Sequence, residues 1–593
     1  MCGIAGIYYK NGKIAGLKEA VQKMNESQFH RGPDDEGIFI DEQNGIVLGH
    51  RRLSILDLSA AGQQPMIWHR DDGGEIAVVF NGEIYNFLEL KKDLRSKGYQ
   101  FSTQTDTEVI LALYNEYGEK SFGMLRGMFA FALWDNRNKK MFLVKDRYGI
   151  KPLYYYSDNG KLVFASTVKA IIESREVPIQ KNSNAYIGFL LFGSVLLPMT
   201  TYKDIFGLSA GYYLEINADG EKKLVKYYDA LEAFQKKSKD NFKEAKIKIR
   251  SLLDESIRLH LISDALLGVF LSGGLDSSAI AALAAKAKSE KIKTLSIIFD
   301  EKEFSEQKYQ QMVAEKINSD HREIKITKKD FFDSFDEIFE AMDQPTIDGI
   351  NTFFISRAAK EAGLKTVLSG LGSDEIFMGY SSFKKASFLR KIQKLPEILK
   401  LPLRFFSLFG GRWSRLSYLE NNTPLNFYLA IKGLFTPRET AGILNISVKE
   451  VNDFIDELTK LTNLQTYKLN NLDPADLLSY LELKFYLQNQ LLKDTDFMSM
   501  YHSVEVRVPF LDHLLVEYLS SLAPEIKLGR SVNKALLVEA TRDLLPQEIF
   551  NRSKMGFTFP FEKWLSSNVK GQMSDAKTHW SRHWAKEVLE KWK

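Results

Sequence analysis

Up to about residue 225 the chain alternates short apolar runs with turn residues. Runs of β type fall at 3–9, 45–48, 76–80, 128–134, 141–145, 153–156, 162–165 and 211–216. Helical period interrupts them only at stretches such as 87–97 and 107–117. This pattern predicts stacked β-sheets with flanking helices. A charged, weakly periodic stretch at 232–246 reads as the connection and lead-in to the second domain. Beyond it strands alternate with helices: an apolar strand at 267–271, a loop of small residues at 272–278, an alanine-rich helix at 279–288, and further strands at 293–299 and 365–368. That order predicts a parallel sheet covered by helices, followed by a helical C-terminal part. The expected architecture is therefore two domains, α+β at 2–225 and α/β at 240–593.

Composition narrows the picture. A chain of 593 residues is too long for one ordinary domain. Its 80 Lys and Arg nearly balance 76 Asp and Glu, a formal charge of +4, which is no nucleic-acid-binding balance. Small soluble substrates are the expectation. The most apolar stretch, 187–199, contains Gly188, Gly193 and Pro198 and falls short of the roughly 20 residues that cross a bilayer. It reads as core. A lone cysteine allows no internal disulfide, and no basic region followed by an apolar run opens the chain, so the reducing cytoplasm is expected. One local departure stands out: 384–415 carries nine Lys or Arg and a single acid, Glu397, interleaved with Phe405, Phe406 and Trp413. Such a segment is either a helix pair with solvated lysines or a face for a membrane or an anionic substrate. No internal repeat, low-complexity tract or metal-type Cys/His cluster is visible.

The one cysteine stands at position 2. Once Met1 is removed, Cys2 carries a thiol nucleophile and, in its own α-amine of pKa about 7.7 to 8.0, a base able to take the thiol proton. The alternative is a buried structural thiol. Polar clusters at strand ends offer what attack on a glutamine amide needs. Asn81 and the backbone N–H of Gly82 supply oxyanion donors, Arg52 a two-pronged clamp for the α-carboxylate, and Asp106 a partner for the α-ammonium. Asn-Gly is also a common hairpin turn.

Taken together, Cys2-Gly3-Ile4, Arg31-Gly32-Pro33-Asp34, Arg52-Leu53-Ser54-Ile55, Asn81-Gly82-Glu83-Ile84-Tyr85-Asn86, Asp106 and the string from Asp146 to Tyr155 resemble the glutaminase domain of class II glutamine amidotransferases. That domain has the N-terminal-nucleophile fold, and the resemblance is closest to glutamine-hydrolysing asparagine synthetases. It implies Cys2 as nucleophile, Asn81 and Gly82 as oxyanion hole, and Arg52, Asn81, Gly82, Glu83 and Asp106 as the glutamine site.

The loop Ser272-Gly273-Gly274-Leu275-Asp276-Ser277-Ser278 leaves open N–H groups at a helix N-terminus, where phosphate is favoured. It lacks the Gly-Lys-Ser/Thr of common NTPases and the dinucleotide fingerprint. It resembles the pyrophosphate loop of N-type ATP pyrophosphatases, the domain with which asparagine synthetases adenylate a carboxylate. A second loop, 369–375, opens on the same sheet edge. The resemblance implies an ATP site at Leu271, Ser272, Gly273, Gly274, Asp276, Ser277, Ile297, Ser369 and Gly370, with Mg²⁺ held by Asp276 and Asp374 and Lys534 as the catalytic lysine. It continues through Asp343, Asp496 and 503–512, and it suggests a homodimer. Two positions depart from the asparagine-forming pattern: Leu371 replaces a glutamate, and Asp348 replaces an arginine. The expected reaction is ATP- and glutamine-dependent formation of asparagine from aspartate. The alternatives are amidation of another carboxylate, such as a uronic acid sugar in surface-polysaccharide assembly, and a nucleic-acid-modifying or purely binding protein on a pyrophosphatase fold, which the near-neutral charge disfavours.

Overall fold

In β5 (Glu75–Ile84) every residue from Ile76 to Phe80 is apolar, because both faces of its sheet are covered. Ile76, Val78 and Phe80 pack outward under Leu90, Leu94, Val109 and Leu113 of the helices Phe87–Ser96 and Thr107–Tyr117. Ala77 and Val79 point inward, against Ile4, Leu48 and Phe164 of a second sheet. The result is four layers, helix, sheet, sheet, helix, with the strand period of two deciding which layer each residue joins. The computed structural model describes residues 2–10, 15–71, 73–158, 160–407, 411–462, 464, 467–529, 532–552, 555, 559–566 and 580–593.

The first sheet contains β1 (Gly3–Tyr9), β2 (Asp35–Asp41), β3 (Ile46–Arg52), β8 (Tyr154–Asp158), β9 (Lys161–Ala165) and β10 (Ile205–Gly207), in the order β10-β8-β9-β1-β3-β2. The second adds β4 (Met66–His69), β6 (Gly127–Asp135), β7 (Lys140–Lys145), β11 (Tyr212–Ile216) and β12 (Lys222–Lys226) to β5, in the order β12-β11-β7-β6-β5-β4. Both are antiparallel. The third holds β13 (Leu267–Phe270), β14 (Lys293–Ile298), β15 (Asp320–Lys325), β16 (Thr366–Leu368) and β17 (Glu505–Arg507), all parallel, in the order β15-β14-β13-β16-β17. Strand order reverses between β13 and β16. Loops leaving their carboxyl ends flank the crevice in which open α/β sheets bind ligands.

The connection and lead-in at 232–246 carry most of the helix Leu231–Gln235 and the start of Phe242–His260, which Asn241 and Glu244 open with a reciprocal capping box. The apolar stretch 187–199 is core, but core shared by both halves. Ile187, Phe189 and Leu190, in the helix Ser183–Phe192, join one buried cluster with Leu429 and Phe454 of the C-terminal half. Asn81-Gly82 lies within β5 rather than in a turn. Among the described residues no helix is long and apolar enough to cross a membrane.

Candidate active site

Cys2 is buried at the start of β1, and its backbone nitrogen donates to Asn81 Oδ1 at 3.0 Å. The same Asn81 leaves its buried Nδ2 without a hydrogen-bond partner, a donor of the kind an oxyanion takes up. Gly82 is required where it stands: a Cβ there would lie 2.1 Å from Met128 O on β6. Cys2, Arg52, Gly82, Glu83 and Asp106 line one small cavity. Burial pushes the Cys2 thiol up, opposed by a hydrogen bond from the Leu53 backbone and by the charge of Arg52. Arg52 donates to Ser59 O at 2.8 Å and Asp57 O at 2.5 Å, so its guanidinium holds the loop that walls this cavity. Asp106, at the start of the helix Thr107–Tyr117, accepts from Ile84 N at 2.7 Å, and burial raises its pKa to about 6.

Several motif residues tie the two halves together instead of facing a cavity. Arg31 donates to Cys2 O at 3.2 Å and pairs with Asp496 at 2.7 Å, which Lys151 also approaches at 3.7 Å. Asp343 accepts from the backbone of Val168 and Lys169 at 2.8 and 3.0 Å. Asp146, by contrast, stays within its half: it accepts from Tyr148, Ile150 and Lys151 N, each at 3.0 Å, and so folds its own turn. Arg507, which sequence reasoning did not single out, is the central tie. It lies on β17, pairs with Glu83 at 3.0 Å and Glu505 at 2.6 Å, and its carbonyl accepts from Ser369 N at 2.9 Å. One residue thus touches both the floor of the Cys2 cavity and the second phosphate-type loop. Burial pushes Glu83 well up, whereas Glu505, despite its burial, is pulled down to about 2 by neighbouring cations including Arg507. The signal was present in sequence: Val504, Val506 and Val508 alternate with Glu505 and Arg507, a strand period with charges on a buried face.

Arg507→Met should therefore damage the N-terminal site from the C-terminal half. Removing one partner of a buried ion pair costs about 3–5 kcal/mol. Thermal unfolding should begin at a lower temperature, and the KM for glutamine should rise; an unchanged KM would show that Glu83 does not depend on Arg507.

At the reversal point of the parallel sheet, Leu271, Ser272, Asp276, Ser277, Ser369 and Gly370 line a cavity of about 530 Å³, and Ile297 joins them from β14. Gly273 and Gly274 form the turn behind it, Gly273 at φ 81°. Ser272 and Ser277 hydroxyls lie 2.9 Å apart and brace the loop against the helix Leu275–Ala287. Lys534 Nζ stands between two carboxylates, 2.7 Å from both Asp276 oxygens and 2.6 Å from Asp374. Burial alone would lower its pKa; the two aspartates overcome this and hold it raised. Gly379 makes room, since a Cβ there would come within 2.0 Å of Asp374 and 2.2 Å of Lys534 Cε. Lys534 itself adopts φ 53°, a left-handed conformation unusual for a side chain of its size.

The far wall of this cavity is mixed. Leu371 and Ile347 are apolar, and burial pushes the nearby Asp348 carboxyl up. Glu375, also pushed up by burial, accepts from Tyr380 OH at 2.7 Å. Lys432 lies 3.9 and 4.3 Å from the ring centroids of Tyr380 and Tyr486, and 3.2 Å from Glu482, whose pKa burial raises to about 7. Phe192 reaches this wall from the N-terminal half.

A position-2 thiol beside an unpartnered amide donor, joined through buried ion pairs to a phosphate-type crevice, defines a glutamine amidotransferase half coupled to an ATP-using ligase half. Residues 1–228 match the glutamine amidotransferase domain and residues 248–591 match asparagine synthase. The chain belongs to the asparagine synthase family. Glutamine-hydrolysing asparagine synthetase 1 of Bacillus subtilis (strain 168) is 32% identical over 581 residues, covering 96% of this chain and 88% of that protein. Asparagine synthetase 3 of the same organism is 30% identical over 575 residues, 93% and 86%. Amidase chry2 of Gibberella zeae is 28% identical over 626 residues, 98% and 92%.

Proposed function

We propose that the chain makes asparagine from aspartate, taking nitrogen from glutamine and energy from ATP, in two domains spanning 2–225 and 240–593. The observation that carries the donor half is the pairing of the Cys2 nitrogen with Asn81, whose amide N–H groups stay available to an oxyanion. After removal of Met1, the Cys2 amine takes the thiol proton as Sγ attacks the glutamine amide carbon. Asn81 Nδ2 and Gly82 N–H hold the oxyanion. Collapse expels ammonia with that proton and leaves a γ-glutamyl thioester, which water hydrolyses to glutamate. Arg52, Glu83 and Asp106 orient the substrate's charged groups.

In the second cavity the acceptor carboxylate attacks the α-phosphorus of ATP and pyrophosphate leaves. Ammonia then attacks the acyl carbon, AMP departs and the amide remains. Lys534 offsets negative charge at the phosphates. Asp276 and Asp374 converge on one cation, and such hard oxygen donors suit Mg²⁺ completed by phosphate oxygens. The ion would neutralise pyrophosphate charge there. We assign the enzyme to the cytoplasm, as a homodimer.

A second acceptor class is favoured by one observation. Leu371 puts an isobutyl group on a cavity wall that also carries the aromatic rings of Tyr380 and Tyr486. Comparing kcat/KM for aspartate and for a nucleotide-linked uronic acid, with ATP and glutamine saturating, tests both. A preference of at least about tenfold for aspartate supports asparagine synthesis; the reverse replaces it with sugar-acid amidation.

Asp106 gives the donor half a pH dependence. Its carboxyl, near pKa 6, protonates as pH falls through that value, and the charge facing the substrate ammonium is lost. In the free enzyme kcat/KM for glutamine should drop about tenfold per pH unit below 6, a limb that Asp106→Asn removes. For stability the sign is opposite: a raised carboxyl pKa favours the protonated folded form, so this group's contribution weakens as pH rises from about 4 to 6.

A further inference from the structure

We propose that the helix pair Ser381–Gln393 and Glu397–Ser407 is a docking face for an anionic lipid bilayer, which the enzyme binds peripherally. Single exposed apolar residues are ordinary; a cluster is not. At the start of the second helix Ile398 is 78% exposed, Leu399 59% and Leu401 56%, with Leu395 of the connecting turn also exposed; Phe388 of the first helix is 66% exposed. On the same helix pair and its turn Lys384, Lys385, Lys391 and Lys394 are exposed. The only acid of the segment, Glu397, is matched by Lys400 at 3.0 Å.

The opposite side of the pair is firmly anchored. Phe383 and Ala386 are buried in the core. Arg390 donates to Asn470 Oδ1 at 3.1 Å, Gln393 to the carbonyls of Asn421 and Thr423 at 2.7 and 2.9 Å, and Lys400 to Glu420 O at 2.9 Å. The outer side is thus held in place by a well-satisfied inner one, yet the pair presents both aliphatic side chains and ammonium groups to solvent. Charge selects the occupant. A second copy of the chain in a two-fold contact would set this basic face against itself. Nucleic acid would meet the lysines but find no use for exposed Ile398, Leu399 and Leu401. A bilayer with acidic headgroups takes both: the aliphatic turn enters the boundary between headgroups and acyl chains, and the lysines stay with the phosphates. The pair begins immediately after Tyr380, a residue of the ligase cavity, so docking holds that half at the membrane surface.

The test is flotation of the full chain with phosphatidylcholine vesicles, with and without about 30% phosphatidylglycerol. Partitioning should be at least about tenfold stronger on the anionic vesicles and should weaken as salt rises from about 0.1 to 0.5 M. The combination Ile398→Asp with Leu399→Asp, and separately Lys384→Glu with Lys385→Glu, Lys391→Glu and Lys394→Glu, should each reduce it by at least about tenfold. Both variants alter solvent-facing positions, so glutaminase activity should be retained and serves as the folding control. Absence of partitioning, equal binding to neutral vesicles, binding untouched by both variants, or a dimer in sedimentation that the variants dissolve would each overturn the proposal.

Discussion

Cys2→Ala is expected to abolish glutamine-dependent synthesis, by at least about 10⁴-fold, while synthesis from added ammonia continues near the unaltered rate. The thiol lies in a cavity walled by β5, the loop after Arg52 and the start of the helix Thr107–Tyr117, and the residues proposed for adenylation belong to a different sheet's edge. Glutamate release and AMP formation, measured separately on the same preparation, distinguish the two activities. Cys2→Ser should lose most of the glutaminase activity, because a hydroxyl is an intrinsically weaker nucleophile than a thiol, yet it should still bind glutamine. The raised thiol pKa sharpens the expectation about processing. A thiol protonated at rest needs a base within reach at the moment of attack, and the described geometry offers the Cys2 nitrogen, fixed on Asn81 at 3.0 Å. A preparation that retains Met1 has an amide there and should be inactive as a glutaminase, a comparison that intact-mass spectrometry makes directly.

The buried ties between the halves bear on why the two activities share a chain. Ammonium is unreactive toward an acyl-adenylate, so the nitrogen has to cross as ammonia, away from water. An interface secured by Arg31 with Asp496 and by Arg507 with Glu83 keeps the two cavities in fixed register. Buried ion pairs are weak contributors to net stability, but they punish misalignment, because any shift leaves a charge unpaired in a low-dielectric interior. Arg507 adds a mechanical aspect: its side chain holds Glu83 and its carbonyl holds Ser369 N.

Sequence pattern located every interior strand of the three sheets and none of the six edge strands, β2, β4, β10, β12, β15 and β17. The reason is burial. Interior strands are covered on both faces or hold the period of two against one, so apolar runs betray them. Edges such as Asp35–Asp41, Lys222–Lys226 and Asp320–Lys325 are rich in charge, as befits strands whose free side must not recruit another chain. The site divided in the same way. Cys2, Asp106 and the two glycine-rich loops were legible because their chemistry is local. Arg31, Asp343, Asp496 and Arg507 have partners across the chain that lie more than a hundred residues away, and a single sequence carries no record of pairing. The requirement for Gly82 is likewise set by Met128 O across the sheet.

Lys534→Met is the second large effect expected, and it falls on the other half. The lysine ammonium is the cation that Asp276 and Asp374 share, at 2.6–2.7 Å, inside a cleft that Gly379 leaves just wide enough. Loss of one fixed charge aimed at developing negative charge costs about 10²–10³ in rate, and here the two aspartates would also be left facing each other. Synthesis should therefore fall by about 10³-fold or more, with ammonia as donor as much as with glutamine. Lys534→Arg should not restore it. A planar guanidinium is wider than an ammonium, and the space beside Gly379 has no slack for it. Asp374→Asn should weaken ATP-dependent pyrophosphate release while sparing glutaminase activity, since its contacts lie in the ligase half. The stoichiometric products should be AMP and pyrophosphate. Finding ADP, or finding that Lys534→Met loses glutaminase and synthesis together, would remove the lysine from the adenylating step and assign it to holding the fold.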